Sequence, residues 1–165
     1  MQVALLSDTH IPSRASRLPG AFRSRVREAD HVVHAGDFDS EGALATIQDM
    51  AGALTAVHGN MDPRVGLPGV TAVTLEGVEF VVTHGTGSRR GYVDRVAVTV
   101  REEATGPGEQ VVGVSGHTHE VMDEEVDGVR LLNPGTATGA APATRATMMT
   151  AEVADGDIDV TVHEA

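Results

Sequence analysis

The 165-residue chain contains no cysteine, so it can form no disulfide, offer no thiolate to a metal ion and use no cysteine nucleophile. Any chemistry must rest on carboxylate, imidazole, hydroxyl and amide groups. Tryptophan is also missing, and the aromatics are only Phe22, Phe38, Phe80 and Tyr92, too few for the stacking platforms on which single-stranded nucleic acids are read. There is no lysine, and 12 arginines face 24 acidic residues for a formal charge of -12. That balance opposes binding to a phosphate backbone, so duplex nucleic acid is not an expected partner. No apolar run approaches the roughly 18 residues of a membrane-crossing helix. The opening run at residues 3–6 stops at Ser7-Asp8, too short for a leader peptide. The resulting expectation is a cytoplasmic protein with no membrane partner.

Hydrophobic residues make up 41% of the chain, enough for Val, Leu and Ala to fill a core, and the length fits a single domain over residues 1–165. The acids crowd into residues 120–127 and 152–159. An acidic, lysine-free surface resembles those of salt-adapted proteins, although a GC-rich coding bias also replaces Lys by Arg. Because the charge is self-repulsive until screened, the melting temperature is expected to rise between about 0.1 and 2 M KCl, over which screening becomes nearly complete. A flat or falling melting temperature in that titration would contradict the electrostatic reading.

Residues 2–7, 30–35 and 53–58 are short apolar segments, each ending in a polar or glycine-containing turn, as buried strands of an α/β sheet do. Between them, Phe22, Val26 and Ala29 recur at helical spacing after Pro19, as do Leu44, Ile47 and Ala51 after a Ser40 that can cap a helix. Residues 73–75 and 78–83 flank Glu76-Gly77 as a hairpin, and Val93, Val96, Ala97, Val100 and Ala104 form a helical stripe. From Val111 onward the pattern is strand-rich, with turns at Asp127-Gly128 and Asp155-Gly156. Alternating βα units followed by hairpins predict two sheets packed face to face with helices outside.

The polar residues fall at the ends of these strands. Asp8 and His10 follow the first, Asp37 the second, and Asn60 and Asp62 the third. His84 ends the second hairpin strand, and His117 and His119 follow the strand at residues 111–115. Ligands bind where the carboxyl ends of α/β strands bring loops together, so a metal site is the natural hypothesis. In Asp8-x-His10 and His117-x-His119 the two side chains would point the same way in an extended segment. Glycines 36, 59, 85 and 116 leave room for sharp turns. A sulfur-free mixture of carboxylate, imidazole and amide suits Mn, Fe, Ni, Co or Zn better than Mg or Ca alone.

Taken in order, Asp8-x-His10, Gly36-Asp37, Gly59-Asn60, His84 and Gly116-His117-x-His119 resemble the calcineurin-like metallophosphoesterases. Asn133-Pro134-Gly135-Thr136 is similar to the Asn-Pro-Gly-Ser signature of the small prokaryotic phosphodiesterase branch, to which the retromer subunit of the same fold is related. The resemblance implies a four-layer α/β/β/α sandwich of two mixed sheets. It implies that Asp8, His10 and His119 hold one metal and that Asn60, His84 and His117 hold another. Asp37 would bridge them, with Asp37, Asn60 and His84 at the catalytic centre. It also implies hydrolysis of a small phosphoester, a diester before others, by a hydroxide shared between two divalent ions, manganese first among the candidates. A phosphomonoesterase or nucleotide phosphohydrolase with the same site is the nearest rival. A non-catalytic scaffold of the retromer type is a further rival, against which the intact ligand set argues. Homo-oligomerisation stays open.

Other residues weigh differently. Asp62 is no ligand by the resemblance and is expected to accept hydrogen bonds that orient a ligating histidine or a turn. Arg14, Arg17, Arg89 and Arg90 offer guanidinium forks to a phosphoryl group, with solvated loop charge as the ordinary alternative. His58 admits two readings, a phosphate contact or a neutral strand-end histidine. His31, His34 and His163 read as structural or surface residues.

Overall fold

The computed structural model describes residues 1–106 and 110–165. Its elements are β1 (Gln2–Leu6), α1 (Gly20–Glu28), β2 (His31–His34), α2 (Glu41–Met50), β3 (Leu54–Ala56), β4 (Val70–Leu75), β5 (Val78–Thr83), α3 (Tyr92–Glu103), β6 (Gln110–Val114), β7 (Val121–Val126), β8 (Val129–Pro134), β9 (Thr147–Ala154) and β10 (Asp157–Glu164). They form two five-stranded sheets, ordered β10-β9-β1-β2-β3 and β4-β5-β6-β8-β7. Both are mixed: β1, β2 and β3 run parallel, β9 pairs antiparallel with β1 and β10 antiparallel with β9, and β5, β6 and β8 run parallel between antiparallel β4 and β7.

The apolar strands are apolar on both faces because both faces are covered. Val3 and Leu5 of β1 point between the sheets, against Val78, Phe80 and Val82 of β5. Ala4 and Leu6 point the other way, toward Phe22 and Val26 of α1 and Leu44 and Ile47 of α2. On the far side, Val81 meets Tyr92, Val96 and Val100 of α3. This alternation, period two on strands and period near 3.6 on helices, produces the four layers α/β/β/α. Ser40 caps α2 as its position predicts, accepting from the Ala43 N–H at 3.0 Å. The three dipeptide turns, Glu76-Gly77, Asp127-Gly128 and Asp155-Gly156, all have positive φ at both residues, the geometry that matches strand twist in tight hairpins. Much of the acidic second half lies on β7 and β10, the outer strands of their sheets. Charge there discourages edge-to-edge pairing with other chains.

Candidate metal centre

Each ligand-type residue follows the carboxyl end of a strand in a parallel set: β1 for Asp8 and His10, β2 for Asp37, β3 for Asn60, β5 for His84, β6 for His117 and His119. The first sheet therefore contributes the carboxylates, His10 and Asn60, and the second contributes the other histidines. The loops are not extended, contrary to the expectation from the two-residue spacing. Among the described residues, the non-glycine positions with positive φ outside the hairpin turns are Asp8, His10, Asp37, Asp39, His117 and His119, with φ of 52°, 47°, 62°, 76°, 71° and 63°. Asp and His tolerate this conformation better than most residues. Alternate left-handed residues coil each loop so that side chains two apart converge, at a conformational cost typical of functional sites. Backbone bonds fasten the first two coils together, from Asp8 N to Gly36 O at 2.9 Å and from His10 N to Asp37 O at 3.0 Å. The close approach needs two glycines: a Cβ on Gly59 would collide with the Asp37 carboxylate, and one on Gly116 with Ser7 Oγ.

Asp8, His10, Asp37, His84 and His119 are all buried. His119 Nε2 lies 3.2 Å and His10 Nε2 3.6 Å from Asp8 Oδ1, and the two ring nitrogens approach each other to 3.1 Å. Asp37 Oδ2 lies 3.6 Å from His10 Nε2 and 3.2 Å from His84 Nε2. Two compact donor groups result, Asp8 with His10 and His119, and Asp8 with Asp37 and His84. The outward ring nitrogens are all engaged: His10 Nδ1 donates to Asp39 Oδ1 at 2.8 Å, His84 Nδ1 to Ala35 O at 2.7 Å and His119 Nδ1 to Ala140 O at 2.9 Å. In the neutral rings the inward Nε2 atoms are therefore bare lone pairs. Among the described residues, His84 Nε2 and Asp8 Oδ1 are buried with no hydrogen-bond partner. Orphaned acceptors facing one another are what a cation would satisfy.

Charge within the cluster tells the same story. Burial alone would raise the pKa of Asp8, but His10, His119, His84 and the Ser7 hydroxyl outweigh it and hold the carboxyl far below its ordinary range. Burial likewise works to raise Asp37, and His84 with the Met61 N–H lowers it. Burial works to lower His10 and His84, yet the surrounding carboxylates raise both. The field that draws a proton onto these rings also favours a divalent cation.

Asn60 and His117 stand at the rim. His117 Nε2 donates to Gly87 O at 2.7 Å, which leaves Nδ1 as the bare nitrogen, 3.1 Å from Asn60 Oδ1. Its ring meets that of His84 edge-on, centroids 5.2 Å apart. Asp62 takes the backbone N–H groups of Asp37, Asp39 and Gly59 at 2.9, 2.8 and 2.8 Å and so fixes two loops against each other. Asn133 donates to Gly116 O at 2.9 Å, and the Thr136 hydroxyl to Asp8 O at 2.8 Å. The four arginines stay outside the cluster. Arg14 donates to Ala141 O, Arg89 to Glu120 and Thr118 O, Arg90 is exposed, and Arg17 lines a separate cavity beside α1. His58 is exposed and borders two openings, one shared with Asn60 and one with His84.

Sequence reasoning missed Asp39, which orients His10 and also accepts from Ser13 Oγ; the repeated two-residue spacing of Asp37-Phe38-Asp39 was its signal. It also missed Tyr92, whose hydroxyl donates to Gly116 O at 2.6 Å and whose pKa burial pushes up to about 12. His34 proves structural in a specific way. Its Nδ1 accepts from Gly36 N at 3.1 Å and its Nε2 donates to Thr9 Oγ1 at 2.6 Å, tying the two carboxylate loops from behind while the ring stacks on Phe38. Burial pushes its pKa down to about 3. A histidine with a folded pKa below its unfolded one contributes stability that is complete above pH about 6.5 and is lost as pH falls toward the folded value. Below pH 6.5 it is expected to cost about 1.4 kcal/mol per pH unit. Denaturant unfolding of wild type and His34→Gln across pH 4–7 should show the shallower slope in the variant; parallel slopes would refute the assignment.

Comparison with known proteins places this geometry in context. Residues 1–156 match the calcineurin-like phosphoesterase superfamily domain. A probable metallophosphoesterase of Methanothermobacter thermautotrophicus is 34% identical over 140 residues, covering 84% of this chain and 78% of that one. A phosphodiesterase of Methanocaldococcus jannaschii is 27% identical over 157 residues, covering 84% and 86%. The fold is shared with Vps29 of Entamoeba histolytica complexed with zinc, at a TM-score of 0.78 and 22% identity, covering 100% of this chain and 98% of that one.

Proposed function

Since this chain belongs to the calcineurin-like phosphoesterase superfamily, we propose that it is a phosphodiesterase that uses two divalent metal ions. The observation that carries this reading is the convergence of unpartnered acceptors, Asp8 Oδ1 and His84 Nε2, with the facing Nε2 atoms of His10 and His119. Asp8, His10 and His119 would hold one ion, Asn60, His84 and His117 the other, and Asp37 both. Bound there, the ions would supply Lewis acidity, lowering the pKa of water and stabilising the attacking and leaving oxygens of an in-line displacement.

The chain's own residues prepare that site. Asp37 faces both groups with Oδ2 while the Met61 N–H holds its other oxygen at 2.9 Å. Asp39 and the carbonyls of Ala35 and Ala140 hold three rings with Nε2 inward, and the carbonyl of Gly87 turns His117 the opposite way. Such partners typically contribute about 10–100-fold to metal affinity or activity. The oxygen and nitrogen donors without sulfur suit Mn, Fe, Ni, Co or Zn, and manganese is put first by the resemblance to the superfamily alone. The diester preference is supported by the phosphodiesterase among the relatives. Metal analysis after manganese loading should find two ions per chain. The loaded protein should hydrolyse bis(4-nitrophenyl) phosphate faster than 4-nitrophenyl phosphate, and a chelator should stop both. Failure to bind stoichiometric metal would overturn the proposal.

A further inference from the structure

Beside α1 and α2, on the helix-covered face of the first sheet, lies a cavity of about 340 Å³. It is distinct from the metal cluster. The two share Thr9 as a wall, but the Thr9 hydroxyl turns away from the cluster toward His34. Its apolar lining comes from Ile11, Leu18, Ile47 and Met50, and its charged groups are Arg17 and Arg23.

Three observations define what would fit. In a chain of formal charge -12, no carboxylate among the described residues lines this cavity. Arg17 and Arg23 both border the cavity and neither forms an ion pair among the described residues, so their guanidinium charge there lacks the acceptor that would offset it. The volume lies at the lower end of the range for small-molecule sites, and an apolar wall with a few polar groups is their usual construction. Arginine forks match carboxylate or phosphate oxygens. We infer that this cavity binds a small amphipathic anion, its carboxylate or phosphate head on Arg23 and Arg17 and its apolar chain against Leu18, Ile47 and Met50.

The test uses four probes, octanoate, octyl phosphate, octanol and acetate, titrated calorimetrically into chelator-treated protein so that the metal centre cannot hold the phosphate head. Octanol lacks the charge and acetate lacks the chain. Octanoate, octyl phosphate or both should bind saturably and at least about tenfold more tightly than the other two, and the preferred head identifies the ligand class. Arg23→Met should weaken that binding at least about tenfold while keeping the apolar stem. Gly42→Leu should abolish it by filling the space, because a Cβ at Gly42 meets no atom closer than Ser40 Oγ at 4.0 Å. Circular dichroism confirms that both variants are folded. No saturable binding of octanoate or octyl phosphate by wild type below about 5 mM, weaker than almost any specific site, would overturn the inference. Equal affinity for octanol, or indifference to both substitutions, would overturn it too.

Discussion

Replacing Asp37 by asparagine is expected to lower kcat/KM on an aryl phosphodiester by more than about 100-fold, beyond what loss of a supporting partner usually costs. The reason is its position: Oδ2 lies within 3.6 Å of His10 Nε2 and 3.2 Å of His84 Nε2, so one neutralisation weakens both halves of the site. The amide keeps the shape of the side chain and can still accept from the Met61 N–H. Folding should therefore survive, and because His84 outweighs burial and holds the Asp37 carboxyl below its ordinary range, the neutral amide should leave the metal-free protein somewhat less stable than wild type. Metal that binds only the folded state raises the melting temperature, and that rise should be seen in wild type and largely lost in the variant. Activity within about tenfold of wild type with both ions still bound would show that Asp37 is not the shared ligand.

The second large effect concerns the leaving group. In many larger members of this superfamily a histidine follows the asparagine of the Gly-Asn motif and can protonate the departing oxygen. Here that position is Met61, 47% exposed at the rim. A thioether cannot donate a proton. General acid catalysis is worth about 10²–10⁴-fold, so activated aryl diesters should be cleaved faster than alkyl diesters by a factor in that range. His58 is a nearby group that could supply the proton otherwise, since it borders openings shared with Asn60 and with His84. The dependence of rate on leaving-group pKa should be steep in wild type and equally steep in His58→Ala. A shallow dependence in wild type that steepens in the variant would make His58 the acid.

What could be read from the sequence was whatever local chemistry enforces. Buried strands are apolar on both faces, so residues 2–7, 30–35 and 78–83 declared themselves. Ser40 declared a helix start because its hydroxyl suits an exposed backbone N–H. The seven ligand-type residues stood out because carboxylates, imidazoles and an amide gathered at strand ends, next to glycines, suit a metal site.

The tertiary structure decided the rest, because it depends on partners far apart in the chain. Nothing local states that β9 pairs with β1, or that His10 and His119, 109 residues apart, bring their ring nitrogens to 3.1 Å. Spacing suggested extended ligand pairs. The structure instead coils them through left-handed residues, held by cross-loop bonds such as Asp62 to the Asp37 and Gly59 N–H groups. Asp39 and Tyr92 looked ordinary until their partners, His10 Nδ1 and Gly116 O, came within hydrogen-bond reach. The loop position of Arg17 makes it a candidate substrate contact, and only folding shows that it also lines a cavity with Arg23. Residue type determines which chemistry is available at each strand end, while long-range burial and hydrogen bonding decide which of those groups meet.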